Sequence, residues 1–141
     1  MKYSWIELET VLVIHDLQIQ EHGGASGIRD LGLIESAINK PKNLLVYTSP
    51  DIPELAAAYA FGLTKNHGFL DGNKRTAYVV SRLFLKLHGW DFVVSPEERV
   101  IVFENLGKGD YSLGGFTRWL KKNTIASSKP EASGKEEVKP R

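Results

Sequence analysis

The sequence predicts an all-α domain of about six helices, with room for one small β-hairpin, on three observations. Apolar residues recur every three or four positions in separate stretches, and no stretch sustains the every-second-residue alternation of a sheet. Caps, glycines and prolines fall at the joints between the stretches. At 141 residues, 42% hydrophobic and 25% charged, the chain suits one domain with a modest core and no metal or disulfide staple.

Ser4 and Glu7 have the spacing of a capping box, and Leu8, Val11, Leu12, His15 and Ile19 then recur at helical intervals up to Gly23 and Gly24. After the loop GGASGIRD, the run LGLIESAINK predicts a short helix stopped by Pro41, followed by an irregular or extended connection over residues 41–52. Pro53 suits the first turn of a third helix, rich in Ala and Leu, that ends near Asn66. A fourth starts near Asn73, carries Ala77, Val80, Leu83, Phe84 and Leu87 on one face, and stops at Gly89. WDFVV is long enough for one short strand or link. SPEE opens a fifth helix reaching about Leu106, and LGGFTRWLKKN supplies a sixth, anchored by Phe116, Trp119 and Leu120.

Composition excludes several chemistries. The chain has no cysteine, so thiol nucleophiles, disulfides and thiolate metal sites are ruled out. The four histidines lack metal-ligand spacing, which argues against zinc. Net charge is +1, with 18 basic residues spread among 17 acids and no aromatic-basic stripe, so no direct nucleic-acid binding is expected. The first residues carry charge and no long apolar run; neither a signal peptide nor a membrane span is expected, and the cytoplasm is the default location. The folded domain is placed at residues 1–124, and residues 125–141, poor in apolar side chains, are expected to be a disordered tail.

The chemistry concentrates between the third and fourth helices, in HGFLDGNKR, residues 67–75. A helix N-terminus offers unpaired N–H groups and partial positive charge, so the amides around Gly72, Asn73 and Lys74 are suited to a phosphate. Lys74 adds a point charge and Arg75 a planar fork. Gly72 permits close backbone approach, and Asn73 can cap the helix or donate to an oxyanion. Asp71, the one acid in this basic loop, suits Mg²⁺, which takes one or two carboxylates plus substrate phosphates, and this points to a nucleotide polyphosphate. His67 is placed to take a proton from an incoming hydroxyl, and Phe69 to pin the loop to the core. The reaction class is phosphoryl or nucleotidyl transfer.

These residues resemble the Fic motif, H-x-F-x-D/E-G-N-x-R, and more narrowly the Doc, or death-on-curing, toxins. GGASGIRDLGLIESA and RLFLKLHGWDF resemble Doc segments too, so the likeness covers roughly residues 1–123. It implies a Fic-like helical bundle in which His67 is the general base, Asp71 the Mg²⁺ ligand, and Gly72, Asn73, Lys74 and Arg75 bind the phosphates of ATP or another nucleoside triphosphate. Adenylyl-transferring Fic enzymes carry Gly after the Asn and a second Arg three residues past the first; here those positions are Lys74 and Tyr78. The resemblance therefore favours the Doc activity, transfer of the terminal phosphate of ATP to a protein hydroxyl, with a threonine of elongation factor Tu as the implied substrate and blocked translation as the result. Gly72, where Doc proteins often have Ala, keeps protein adenylylation as the alternative. A catalytically weak, antitoxin-bound interaction module is a third reading. The family also implies a strand-forming flap, for which residues 41–52 are the candidate. No internal inhibitory helix is evident, which implies an antitoxin acting in trans.

The remaining polar residues have simpler roles. His15, on the apolar face of the first helix, is expected to be a satisfied buried residue, His22 an exposed loop residue, and His88 a residue near a helix C-terminus that suits the dipole and needs no function. Arg29 and Asp30 either reach the site or pin their loop by an ion pair. Trp5, Trp90 and Trp119 are core or rim anchors. Arg82 lies two turns beyond Arg75, about 10 Å along the axis, too far to replace a second phosphate-binding Arg.

Overall fold

In the computed structural model, which describes residues 2–127, the chain forms six helices and a two-stranded sheet. The order is α1 (Leu8–His22), α2 (Leu31–Tyr47), α3 (Ile52–Asn66), α4 (Asn73–Leu87), β1 (Trp90–Phe92), α5 (Pro96–Gly107), α6 (Leu113–Lys122) and β2 (Thr124–Ala126). The expected all-α bundle is the observed architecture, and the small β element is a two-stranded antiparallel sheet. No helix among the described residues is long and apolar enough to cross a membrane.

The bundle is built around α3, which touches α2, α4, α5 and α6. Its alanines explain that position: Ala56, Ala57, Ala58 and Ala60 are fully buried, and side chains this small let neighbours approach on every side. At the crossing with α2 a Cβ on Gly62 would meet the Ala37 Cα at 3.1 Å. Larger side chains from the outer helices, among them Ile34, Phe84, Leu106, Phe116 and Leu120, fill the space around this core. The start of α3 carries a reciprocal capping box between Asp51 and Glu54, with Pro53 in the first turn. Ser95 and Ser112 cap α5 and α6 by accepting from Glu98 and Gly115.

Three expectations are corrected. The capping box of Ser4 and Glu7 does not form, and α1 begins at Leu8 with Glu7 as an N-cap whose side chain makes no cap bond. Tertiary bonds compete successfully for this segment: the Ser4 N–H donates to His88 Nε2 at 3.0 Å, the Ile6 N–H donates to Tyr59 Oη at 2.9 Å, and Trp5 stacks on Phe84. His88 is thereby a tie between the N-terminal segment and α4, its Nδ1 donating to the Phe84 carbonyl at 2.7 Å.

Pro41 does not stop α2, which runs through it to Tyr47. The missing N–H removes one helical bond, but Ile34, Ala37, Ile38 and Pro41 form a continuous buried face, and this burial outweighs the break. The helix ends where the Thr48 N–H and Oγ1 both donate to the Leu44 carbonyl. Residues 41–47 are therefore helical, and the extended flap expected over 41–52 shrinks to the short link 48–51.

The small sheet lies elsewhere and is not a hairpin: with α5 and α6 between them in the chain, β1 pairs antiparallel with β2, Asp91 opposite Ile125. This strand crosses the boundary expected at residue 124. The rest of the expected tail, from residue 128, lies outside the described residues.

Candidate active site

Residues 67–75 span the end of α3 and the start of α4, and almost every backbone turn in them is held by a named partner. His67, the C-cap of α3, has φ 49° and ψ 49°, the only positive φ outside glycine among the described residues. Arg29 fixes it there. Its Nε donates to the His67 carbonyl at 2.7 Å and its Nη2 to the Asn66 carbonyl at 3.0 Å, placing a guanidinium on the negative end of α3. Arg29 thus pins the motif through carbonyls and makes no ion pair among the described residues. Asp30 caps α2 by accepting from Leu33.

The loop before α2 runs antiparallel to the motif. The Arg29 and Asp30 N–H groups both donate to the Gly68 carbonyl, the Leu70 N–H donates to the Gly27 carbonyl, and Ile28 bridges Phe69. Gly68 is required at this approach, because a Cβ there would run into the Ile34 side chain.

Phe69 is 2% exposed and stacks on His15, as expected of a residue that anchors the loop. His15 is a satisfied buried histidine whose Nε2 meets the Asp71 carbonyl at 2.8 Å. Gly72, φ 77°, takes the N-cap of α4. Asn73 therefore does not cap the helix: its Oδ1 accepts from the Phe69 N–H and its Nδ2 donates to the Phe69 carbonyl, both at 3.0 Å, so only its backbone is turned toward a ligand. An Asn here clamps the turn because its amide matches both polar groups of one peptide residue.

What faces solvent is the set able to meet a charged substrate. His67, Asp71 and Arg75 are exposed, while Gly72 and Lys74 are half-buried. The Asp71 carboxyl is held below its ordinary value by the Gly72 N–H at 2.8 Å, then by the Ala25 N–H at 3.3 Å, with Arg75 and His15 adding attraction. The carboxylate is thus ionised at neutral pH. No group of three or more His, Asp or Glu among the described residues could hold a metal ion by itself, so a cation here would take Asp71 plus ligand oxygens, a pattern that fits Mg²⁺ bound with phosphates and not an all-protein cage. The first N–H groups of α4 lack intrahelical acceptors. Lys74 is occupied by Glu104 at 3.0 Å, whereas Arg75 has no hydrogen bond or ion pair among the described residues.

These groups open into a cavity of about 730 Å³. One wall is the motif. Tyr78 and Val79 of α4 and Arg99, Val100, Phe103 and Glu104 of α5 form the other, with Gln18 and His22 of α1 at the edge. Every expected site residue lines this cavity. Sequence reasoning missed the α5 wall, and no local pattern announced it: Arg99 and Glu104 become neighbours of the motif only through the packing of α5 on α4.

A model of the Fic/DOC family matches residues 5–85. The chain belongs to the Fic/Doc family. Within it, the likeness is to Doc proteins: it is 34% identical over 93 residues to the protein called Protein kinase doc of Escherichia phage P1, covering 65% of this chain and 74% of that one. It is 38% identical over 88 residues to Toxin Doc of Mycolicibacterium smegmatis, covering 61% of this chain and 65% of that one.

Proposed function

We propose that this protein is a Doc-like toxin that transfers the terminal phosphate of ATP to a hydroxyl, a threonine of elongation factor Tu, and so blocks translation in the cytoplasm. The observation that carries the reading is the gathering of His67, the ionised Asp71, the α4 N-terminus and Arg75 around one cavity, in a chain related to a protein named a kinase and another named a toxin.

Each residue has a task set by its chemistry. His67 at the rim accepts the proton of the attacking hydroxyl, and its fixed backbone keeps the ring at the mouth of the cavity. Asp71 holds Mg²⁺, which neutralises phosphate charge when bound. The amides of residues 73–75 and the Arg75 guanidinium hold the phosphates, Gly72, whose N–H is given to Asp71, lets them approach closely, and Lys74 joins when a phosphate competes with Glu104. Asn73 keeps the turn rigid, so little reorganisation accompanies the reaction. An antitoxin acting in trans supplies control.

A second reading, protein adenylylation, is favoured by Gly72, the residue of adenylyl-transferring relatives. Incubating the purified protein and a His67→Ala control with Mg²⁺, ATP and elongation factor Tu, then weighing the intact target, separates the two. One added phosphate that vanishes in the control supports the kinase; one added adenylate moves the protein to the adenylyltransferases. An unmodified target refutes the proposed substrate.

A further inference from the structure

The cavity wall contributed by α5 holds a cation that no part of the motif accounts for. Arg99 is half-buried, and its guanidinium lies 4.2 Å from the centroid of the Tyr78 ring. Tyr78 stands on α4 one turn after Arg75 and lines the same cavity, so the ring carries Arg99 into the space beside the α4 N-terminus. A half-buried guanidinium is ordinarily matched by a carboxylate. Here none is: Arg99 has no ion pair among the described residues, and its neighbour Glu98 accepts from Trp119 Nε1 at 3.1 Å. Glu104, the cavity's acid on the same helix, is taken by Lys74. Arg82, two turns further along α4 and outside the cavity lining, is turned to Asp91 with bonds of 3.0 and 3.1 Å.

We infer that Arg99 is a phosphate-binding residue of this cavity, delivered from α5 and held flat on Tyr78, so that a polyphosphate bound at the α4 N-terminus is gripped from both walls. The stacked face leaves the edge of the guanidinium, with its N–H fork, for oxygen acceptors. Residue 99 lies outside the segment matched by the family model, residues 5–85, so the assignment rests on this chain's own packing. It also depends on the proposed polyphosphate site, and the test separates the two.

Binding of ATP and of inorganic tripolyphosphate to the full chain would be measured by calorimetry for the wild type and for Arg99→Gln, Arg99→Lys, Tyr78→Phe and Arg75→Ala. Loss of one charge-assisted contact should weaken both ligands about tenfold or more in Arg99→Gln, with Arg99→Lys intermediate. Tyr78→Phe keeps the ring face and removes only the hydroxyl, so a loss of binding there equal to that of Arg99→Gln would show that the Tyr78 hydroxyl, and not the stacking of Arg99, serves the ligand and would overturn the inference. If Arg99→Gln weakens ATP but not tripolyphosphate, Arg99 contacts the nucleoside and the phosphate assignment is overturned. If Arg99→Gln binds both normally while Arg75→Ala does not, the inference fails and the polyphosphate site stands. Wild-type affinity in both variants, or no binding by the wild type, removes the polyphosphate site and the inference with it.

Discussion

The imidazole of His15 lies flat on the ring of Phe69, centroids 3.7 Å apart and planes 8° apart, and so joins the middle of α1 to the floor of the loop between α3 and α4. A carbonyl only accepts, so the Nε2 that meets the Asp71 oxygen carries the proton. One buried side chain therefore sets both the depth of Phe69 and the direction of the peptide that follows Asp71.

His15→Phe separates these two effects, since it keeps a stacked ring and removes the hydrogen bond. Stability should fall by about 1 kcal/mol, the net worth of one such bond. With Asp71 less firmly held, more Mg²⁺ should be needed for half-maximal ATP binding. Denaturant unfolding and a Mg²⁺ titration check the two parts; an unchanged Mg²⁺ requirement would confine His15 to packing.

Arg29 acts on the other end of the loop. Its two bonds to the carbonyls of Asn66 and His67 hold a left-handed backbone that a non-glycine residue adopts reluctantly. On the proposed mechanism, Arg29→Ala should lower kcat about ten- to a hundredfold with little change in KM for ATP, because it misplaces His67 and leaves the α4 N-terminus intact. Arg29→Lys should recover only part of the rate, since an ammonium cannot reproduce the fork. A rise in KM with constant kcat would show that Arg29 serves binding instead.

Local signals were legible in proportion to how locally they act. The cap at Ser95, Pro53 in the first turn of α3 and the glycine stop at Gly89 are decided within a few residues, and each expected helix was present. The motif was legible for the same reason, since residues 67–75 are contiguous. What failed was decided by distant partners. Pro41 reads as a stop in isolation, yet its face is buried against α3; Ser4 reads as a cap, yet its N–H belongs to His88 across the fold. Strand β2 was missed because three residues pair with Trp90, Asp91 and Phe92 some 34 positions away, and the Arg99 wall of the cavity because it depends on how α5 lies on α4. Asn73 was assigned outward from its residue type, whereas both its polar atoms close on Phe69.

Asp91 links β1 to α4 through Arg82 and Lys86. Burial, the largest single influence, pushes its carboxyl up, but bonds from Arg82 and the Phe92 N–H, with attraction from both cations, outweigh it and leave the group below its ordinary value. A carboxyl depressed in the folded state contributes fully above the unfolded value of about 3.9 and loses that contribution as pH falls from there through the lower folded value. Asp91→Asn should thus cost up to about 1 kcal/mol at neutral pH, the range for a partly exposed pair, and the difference from wild type should shrink below about pH 4. Unfolding at both pH values checks the sign; a gap that persists in acid would trace to packing.

Glu104 occupies Lys74 inside the cavity, so a phosphate reaching Lys74 must displace a carboxylate already in place at 3.0 Å. Both groups are substantially exposed, which keeps the folding contribution of the pair small, and its main consequence is for binding. Glu104→Gln removes the competing charge and frees the ammonium. ATP should then bind several-fold more tightly, and the gain should shrink as salt rises, since it is electrostatic in origin. Glu104→Gln should leave stability within about 0.5 kcal/mol of wild type, as for most surface substitutions. Lys74→Met should weaken ATP binding in the wild type and weaken it further in the Glu104→Gln background, because only there is the whole charge of Lys74 available. Calorimetric titration of the four proteins at two salt concentrations gives the answer: equal losses in both backgrounds would mean that Glu104 does not restrain Lys74, and weaker binding in Glu104→Gln alone would mean that the carboxylate instead helps to hold the bound nucleotide.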